Sequence, residues 1–141
     1  RFGAAELHGI DINPDAVRAA GPAAAAVGAT VAVADATRLP MGSASLDLVV
    51  CHQLLHHAVD PAAVLAELRR VLRPGGWLLV AESCAEFLEW WPVRLLFRHP
   101  VRDQHSPAGY ADLIVRAGFE LEPTRVCTPT PWWSLRDLGL R

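Results

Sequence analysis

The stretch that decides the fold is Leu46-Asp47-Leu48-Val49-Val50-Cys51, followed by Asp60-Pro61, then Leu68-Arg69-Arg70-Val71-Leu72-Arg73-Pro74-Gly75-Gly76, then Trp77-Leu78-Leu79-Val80-Ala81. Its first run is almost continuously apolar, which suits a strand buried on both faces of a parallel sheet. Asp60 is a natural helix N-cap and Pro61 fits the first helical position, where no intrahelical N–H is needed. Val64, Leu65, Leu68, Val71 and Leu72 fall on one face at helical spacing. Arg69, Arg70 and Arg73 complement the negative end of the helix dipole, and Gly75 is expected to stop the helix. Residues 77–81 then read as a second strand. Strand, helix and strand in this order form a βαβ crossover.

The same grammar extends outward. Glu6 to Ile12 reads as a strand, and Asn13-Pro14-Asp15 caps a helix that is expected to stop near Gly21-Pro22. Ala29 to Val33 is a further strand leading to Asp35, and residues 38–43 carry the Pro, Gly and Ser of a loop. Residues 87–97 are mixed apolar and helical in pattern, broken around Pro92. Ser106-Pro107 opens a helix carrying Tyr110, Leu113, Ile114 and Ala117 that ends at Gly118, and Phe119 to Val126 is read as a fifth strand. Strands alternating with helices imply an α/β layered fold with a mostly parallel sheet, in one domain spanning residues 1–141.

Bulk properties narrow the function. A chain that is 52% hydrophobic can supply a core, so disorder is excluded. A net charge of −2 gives no clustered basic face for nucleic acid. Cys51, Cys84 and Cys127 are odd in number and widely spaced, which argues against a disulfide framework or a zinc ribbon and for a reducing compartment. The most apolar long segment, 87–97, contains Glu89, Pro92 and Arg94 and is too short to span a bilayer. A soluble cytoplasmic protein without a membrane span is the expectation.

Ligands of open α/β sheets bind beyond the carboxyl ends of the strands. That rule selects Asp11, Asp35 and Cys51, each closing an expected strand, as neighbours on one rim. A carboxylate at Asp11 can accept from two vicinal ribose hydroxyls; taken singly it reads more readily as a turn residue before Asn13-Pro14. Asp35 can accept from an exocyclic amine or stand as a plain loop aspartate. Asp47 is expected to bond neighbouring backbone amides. His52 and His56 are four apart and would share a helical face, but no His-Glu-x-x-His arrangement or carboxylate ligand accompanies them, so no metal is assigned. Either could act as a base toward a substrate, because neutral imidazole suits proton removal near neutral pH.

Gly9-Ile10-Asp11-Ile12-Asn13-Pro14, Asp35-Ala36-Thr37-Arg38-Leu39-Pro40, Arg73-Pro74-Gly75-Gly76 and Ala117-Gly118-Phe119 together resemble class I S-adenosylmethionine-dependent methyltransferases of the type 11, ubiquinone-biosynthesis-like family. The resemblance implies a Rossmann-like three-layer sandwich and S-adenosyl-L-methionine as cofactor. It implies cofactor contacts at Asp11 and Ile12 (ribose), Asp35 and Ala36 (adenine), and Cys51 and His52 (the methionine side). His57 becomes a packing and hydrogen-bonding residue, and residues 87–97, with Trp90 or Trp91, a substrate-facing lid. The acceptor would be an O, N or C nucleophile of a small molecule. No catalytic residue is identified. The family's first strand and Gly-x-Gly-x-Gly loop should stand ahead of Arg1, and residues 1–141 contain no such loop. Residues 131–140 look like a connection toward a last antiparallel strand. The chain therefore reads as a fragment with weak or no turnover alone and with unpaired strand edges. Two alternatives stay open: another nucleotide-binding Rossmann enzyme, such as a dehydrogenase, and a catalytically silent binding protein of the same fold.

Overall fold

The computed structural model describes residues 5–84 and 105–127. The apolar segment with Trp90 and Trp91, and the tail with Trp132 and Trp133, lie outside the described residues. Strand β1 (His8–Asp11) leads through helix α1 (Pro14–Ala26) to strand β2 (Thr30–Val33), and the two strands pair in parallel with His8 opposite Thr30 and Asp11 opposite Val33. Strand β3 (Leu46–His52) leads through helix α2 (Pro61–Val71) to strand β4 (Leu72–Ala81), again in parallel. Helix α3 (Pro107–Arg116) packs against α2. This is the expected α/β alternation. Among the described residues the sheet is two separate pairs, β1–β2 and β3–β4, rather than one continuous sheet.

The caps are where the sequence places them. Asn13 accepts from the Asp15 amide, Asp60 from the Ala63 amide and Ser106 from the Gly109 amide, each followed by proline at the start of the helix. Helix α1 does not stop at Gly21-Pro22. It runs through Pro22 to Ala26, because the flanking alanines have the highest helix propensity and offset the bond lost at proline. The stop is Gly28, at φ 73°, where Gly28 N–H donates to Ala25 C=O and Ala29 N–H to Ala24 C=O. That is a Schellman closure, and it needs a left-handed residue.

Helix α2 likewise ends before the expected Gly75. The chain turns extended at Leu72, which pairs with Leu46, and residues 73–76 then bulge out before Trp77 pairs with Leu48. Gly75 serves this bulge at φ 78°, and a side chain at Gly76 would come 3.1 Å from the Asp47 carbonyl oxygen. The expected fifth strand, Phe119 to Val126, is absent. A 3-10 turn, Pro123–Arg125, stands there instead, held by an ion pair of 3.0 Å between Arg125 and Glu122. Pro123 cannot donate to a ladder, which works against a strand at this point.

The core lies wholly in the second unit. Cys51, Leu55, Val64, Leu65, Leu68 and Tyr110 form it, with Val49, Leu78 and Val80 packed against it from the sheet. The alternate residues Leu48, Val50, Trp77 and Leu79 are exposed on the other face. Helix α1 buries no residue completely. No helix among the described residues is long and apolar enough to cross a membrane.

The two units are tied through residues 34–45. Ala36 and Leu39 pack against the core, and Ala44 and Ser45 donate their amides to the carbonyls of Arg70 and Val71 at the end of α2. Glu67 and Arg70 complete the tie. Glu67 accepts from the Leu39 amide at 2.7 Å and pairs in a fork with the Arg70 guanidinium, which also donates to the Met41 carbonyl at 2.9 Å and the Ser43 hydroxyl at 3.1 Å. The Arg70 hydrogen bond, with help from the Leu39 amide, holds the Glu67 carboxyl below its ordinary 4.5. A depressed carboxyl adds stability that is fully present above the unfolded value and is lost as pH falls through the folded one. Glu67→Gln should therefore cost about 2 kcal/mol at neutral pH, from lost charge-assisted hydrogen bonds, and flatten the decline of stability below pH 4.5. Urea melts of both proteins across the acid range check this; coincident acid branches would refute it.

Candidate functional site

The first tip is built by an aspartate turn. Asp11 ends β1 and its Oδ1 accepts from the Asn13 amide at 2.7 Å, while Asn13 in turn caps α1. One carboxylate oxygen is thus committed to the turn, and the residue as a whole is exposed. Ile12, next in the chain, is 70% exposed, an unusual place for a large apolar side chain.

The second tip lies directly beside the first. The Ala34 amide donates to the Asp11 carbonyl at 3.1 Å, which extends the β1–β2 ladder one step past Val33 and puts Asp35 next to it. Asp35 Oδ1 accepts from the Thr37 amide and the Thr37 hydroxyl, both at 2.8 Å. These two bonds, the amide first, hold its carboxyl below the ordinary aspartate value, so it is ionised at neutral pH. Ala36 turns its methyl toward the core. Asp11 and Asp35 therefore share one rim, on neighbouring parallel strands.

The third tip has a different character. The Cys51 thiol is buried and faces the core, and burial together with the nearby Glu82 charge pushes it up to about 12. It is an inert thiol, and Cys51 can meet a ligand only through its backbone. His52 is exposed at the strand end. Gln53 follows in the left-handed region at φ 51°, a conformation that costs a non-glycine residue about 1 kcal/mol or more. Its amide donates to the Ala81 carbonyl at 2.8 Å, and its side-chain oxygen accepts from Ser83 at 2.8 Å.

Two expectations about the histidines are corrected here. His56 does not face a substrate. Its side chain is 3% exposed and its Nδ1 lies 2.7 Å from Glu82 Oε2. His57 is exposed as a residue, yet its ring packs tilted against that of His56 at 3.9 Å, in keeping with a packing part. The segment turns rather than forming a helix, so the spacing of four places His52 and His56 on no common face. Among the described residues no group of three or more His, Cys, Asp or Glu side chains is placed to hold a metal ion. Asp47 also differs from expectation, pairing with the Arg73 guanidinium instead of backbone amides.

Sequence reasoning missed Glu82. Its Oε1 accepts from the consecutive amides of Leu54 and Leu55, at 2.7 and 2.8 Å, while Oε2 holds His56. The available signal was a carboxylate directly after the apolar run 77–81. A cavity of about 380 Å³ between β1, β2 and the start of β3 is lined by His8, Ile10, Thr30, Met41 and Leu46 and by neither aspartate.

The donor set suits the adenosine part of S-adenosylmethionine. Each aspartate has one oxygen fixed by its own turn and the other uncommitted among the described residues. An ionised carboxylate so held is a strong acceptor for ribose hydroxyls or an exocyclic amine.

Comparison with known proteins gives the family. Residues 1–80 match the family model described as a methyltransferase domain. The protein named "Probable S-adenosylmethionine-dependent methyltransferase" of Mycolicibacterium smegmatis is 38% identical over 87 residues, covering 61% of this chain and 33% of that one. A ubiquinone biosynthesis O-methyltransferase of Xylella fastidiosa is 32% identical over 108 residues, covering 70% and 44%. The crystal structure of an S-adenosylmethionine-dependent methyltransferase from Methanosarcina mazei superposes with a TM-score of 0.67 at 25% identity, covering 83% of this chain and 70% of that one. The chain thus spans a third to under half the length of these two curated relatives. The fold is the Rossmann-like α/β fold of these enzymes, and with more than half of its residues inside the family model the chain belongs to the methyltransferase-domain family.

Proposed function

We propose that this chain supplies the adenosyl-binding rim of an S-adenosylmethionine-dependent methyltransferase whose acceptor is an O, N or C nucleophile of a small molecule. The observation that carries the reading is the pair of turn-held carboxylates on neighbouring strand tips, joined by the bond from the Ala34 amide to the Asp11 carbonyl. Asp11 accepts from the ribose hydroxyls, with Ile12 covering the sugar. Asp35 accepts from the adenine amine, and the Ala36 amide donates to a ring nitrogen. The backbone at Cys51 and the exposed His52 line the side where the methionine part lies. When bound, the cofactor supplies an electrophilic methyl group on a sulfonium. The name of the Xylella relative favours oxygen among the acceptor atoms.

His52 is the base in this reading. It is exposed at a strand tip, whereas His56 is enclosed with Glu82, so His52 alone of the two can take a proton from an acceptor held at the rim.

Titration calorimetry with S-adenosylhomocysteine tests the rim. Asp11→Asn and Asp35→Asn should each weaken binding about tenfold or more, the worth of one charge-assisted hydrogen bond. An analogue lacking the ribose hydroxyls should bind wild type and Asp11→Asn equally, while still distinguishing Asp35→Asn. Unchanged affinity in both variants would sink the reading. In a chain long enough to turn over, replacing His52 by alanine should slow methyl transfer about a hundredfold, the usual scale of general-base catalysis, and weaken that affinity far less. Steady-state rates with a competent acceptor check it, and equal rates would remove His52 from the chemistry.

A further inference from the structure

Glu82 is enclosed at the carboxyl end of β4, and nothing in the rim chemistry above uses it directly. Its side chain is 3% exposed. Such a carboxylate must have its oxygens satisfied by donors, since an unpaired buried charge is strongly destabilising. Among the described residues its close donors come from one short segment: the Leu54 amide, the Leu55 amide and His56 Nδ1, within 2.8 Å, with the Cys51 thiol at 4.0 Å. The segment so gripped begins one residue after Gln53, whose left-handed backbone lasts only if its surroundings enforce it. Gln53 is itself tied to Ala81 and Ser83, the residues on either side of Glu82.

We infer that Glu82 is a positioning residue: its carboxylate fixes the turn 53–56 and thereby aims the backbone of the β3 tip and the His52 side chain at the bound cofactor. The inference rests on the function proposed above, and it assigns Glu82 no contact with cofactor or substrate. The physical cause is donor convergence. Two consecutive amides point at one oxygen, which is possible only when the backbone between Gln53 and Leu55 holds one conformation. Glu82→Gln keeps the shape but removes the charge: its oxygen either leaves the two backbone N–H groups without an acceptor, or stays on them as a weaker neutral acceptor while its amide donates to His56 in the other ring tautomer. Glu82→Asp keeps both acceptor oxygens but shortens the reach by one methylene.

The test uses the whole 141-residue chain. Amide hydrogen exchange by NMR and calorimetry with S-adenosylhomocysteine are measured for wild type, Glu82→Gln and Glu82→Asp. In Glu82→Gln, protection at Leu54 and Leu55 should fall about tenfold or more, protection at Leu65 and Leu68 in α2 should hold, and S-adenosylhomocysteine affinity should fall about tenfold. Glu82→Asp should recover part of both losses. A loss of protection spread evenly through α2 would make Glu82 merely a stability residue and overturn the inference. So would unchanged protection at Leu54 and Leu55, or protection lost with affinity intact. If wild type fails to bind S-adenosylhomocysteine, the proposed cofactor is wrong and the aiming of His52 at it falls too; the exchange rates at Leu54 and Leu55 still report separately whether Glu82 holds the turn.

Discussion

The fork between Glu67 and Arg70 holds the loop that leads from the tip of β2 into β3. One unit of the molecule owns the core, and the other owns the two aspartates. Among the described residues no ladder joins β1–β2 to β3–β4, so the segment 34–45 must transmit the order of the core to the tips. Glu67 and Arg70 do this by taking up the Leu39 amide and the Met41 carbonyl, which would otherwise compete for water. The same contact satisfies the end of α2, since Ala44 and Ser45 reach its last carbonyls. A helix end, a loop and a strand tip are thus stabilised by one set of bonds.

Four carboxylates divide by exposure, and the division explains their roles. Glu67 and Glu82 are largely enclosed and each accepts from backbone amides of a loop that follows a strand, Leu39 for Glu67 and Leu54 and Leu55 for Glu82, so they act on the backbone. Asp11 and Asp35 are exposed, and each binds its own turn through one oxygen only. A buried charge has to be fully paired; an exposed one can keep a lone pair free for a ligand. The two inner carboxylates hold loops, and each of the two outer ones keeps an oxygen uncommitted among the described residues.

Much of this was readable from residues alone. Asn13-Pro14, Asp60-Pro61 and Ser106-Pro107 announced three helix starts because capping is local: a side chain bonds an amide two or three residues away. The parallel pairs followed from apolar runs separated by helices. The end of α1 was misplaced because the alanines around Pro22 outweigh one lost bond, a balance of small terms. The strand at 119–126 failed because a strand exists only if a neighbour offers a ladder, which no local pattern guarantees. His56 lies away from any common face with His52 because a turn, not a helix, follows β3.

The sequence by itself determined the alternation of elements, their caps and the placing of Asp11 and Asp35 at strand ends, since each depends on residues close in the chain. Only the tertiary structure decided that Cys51 is turned inward, that β1–β2 and β3–β4 stay separate pairs among the described residues, and that Glu82 and Glu67 grip loops 27 to 28 residues away in sequence. Those outcomes depend on which donors a folded chain brings to a buried carboxylate, and that is a property of three-dimensional packing rather than of spacing along the backbone.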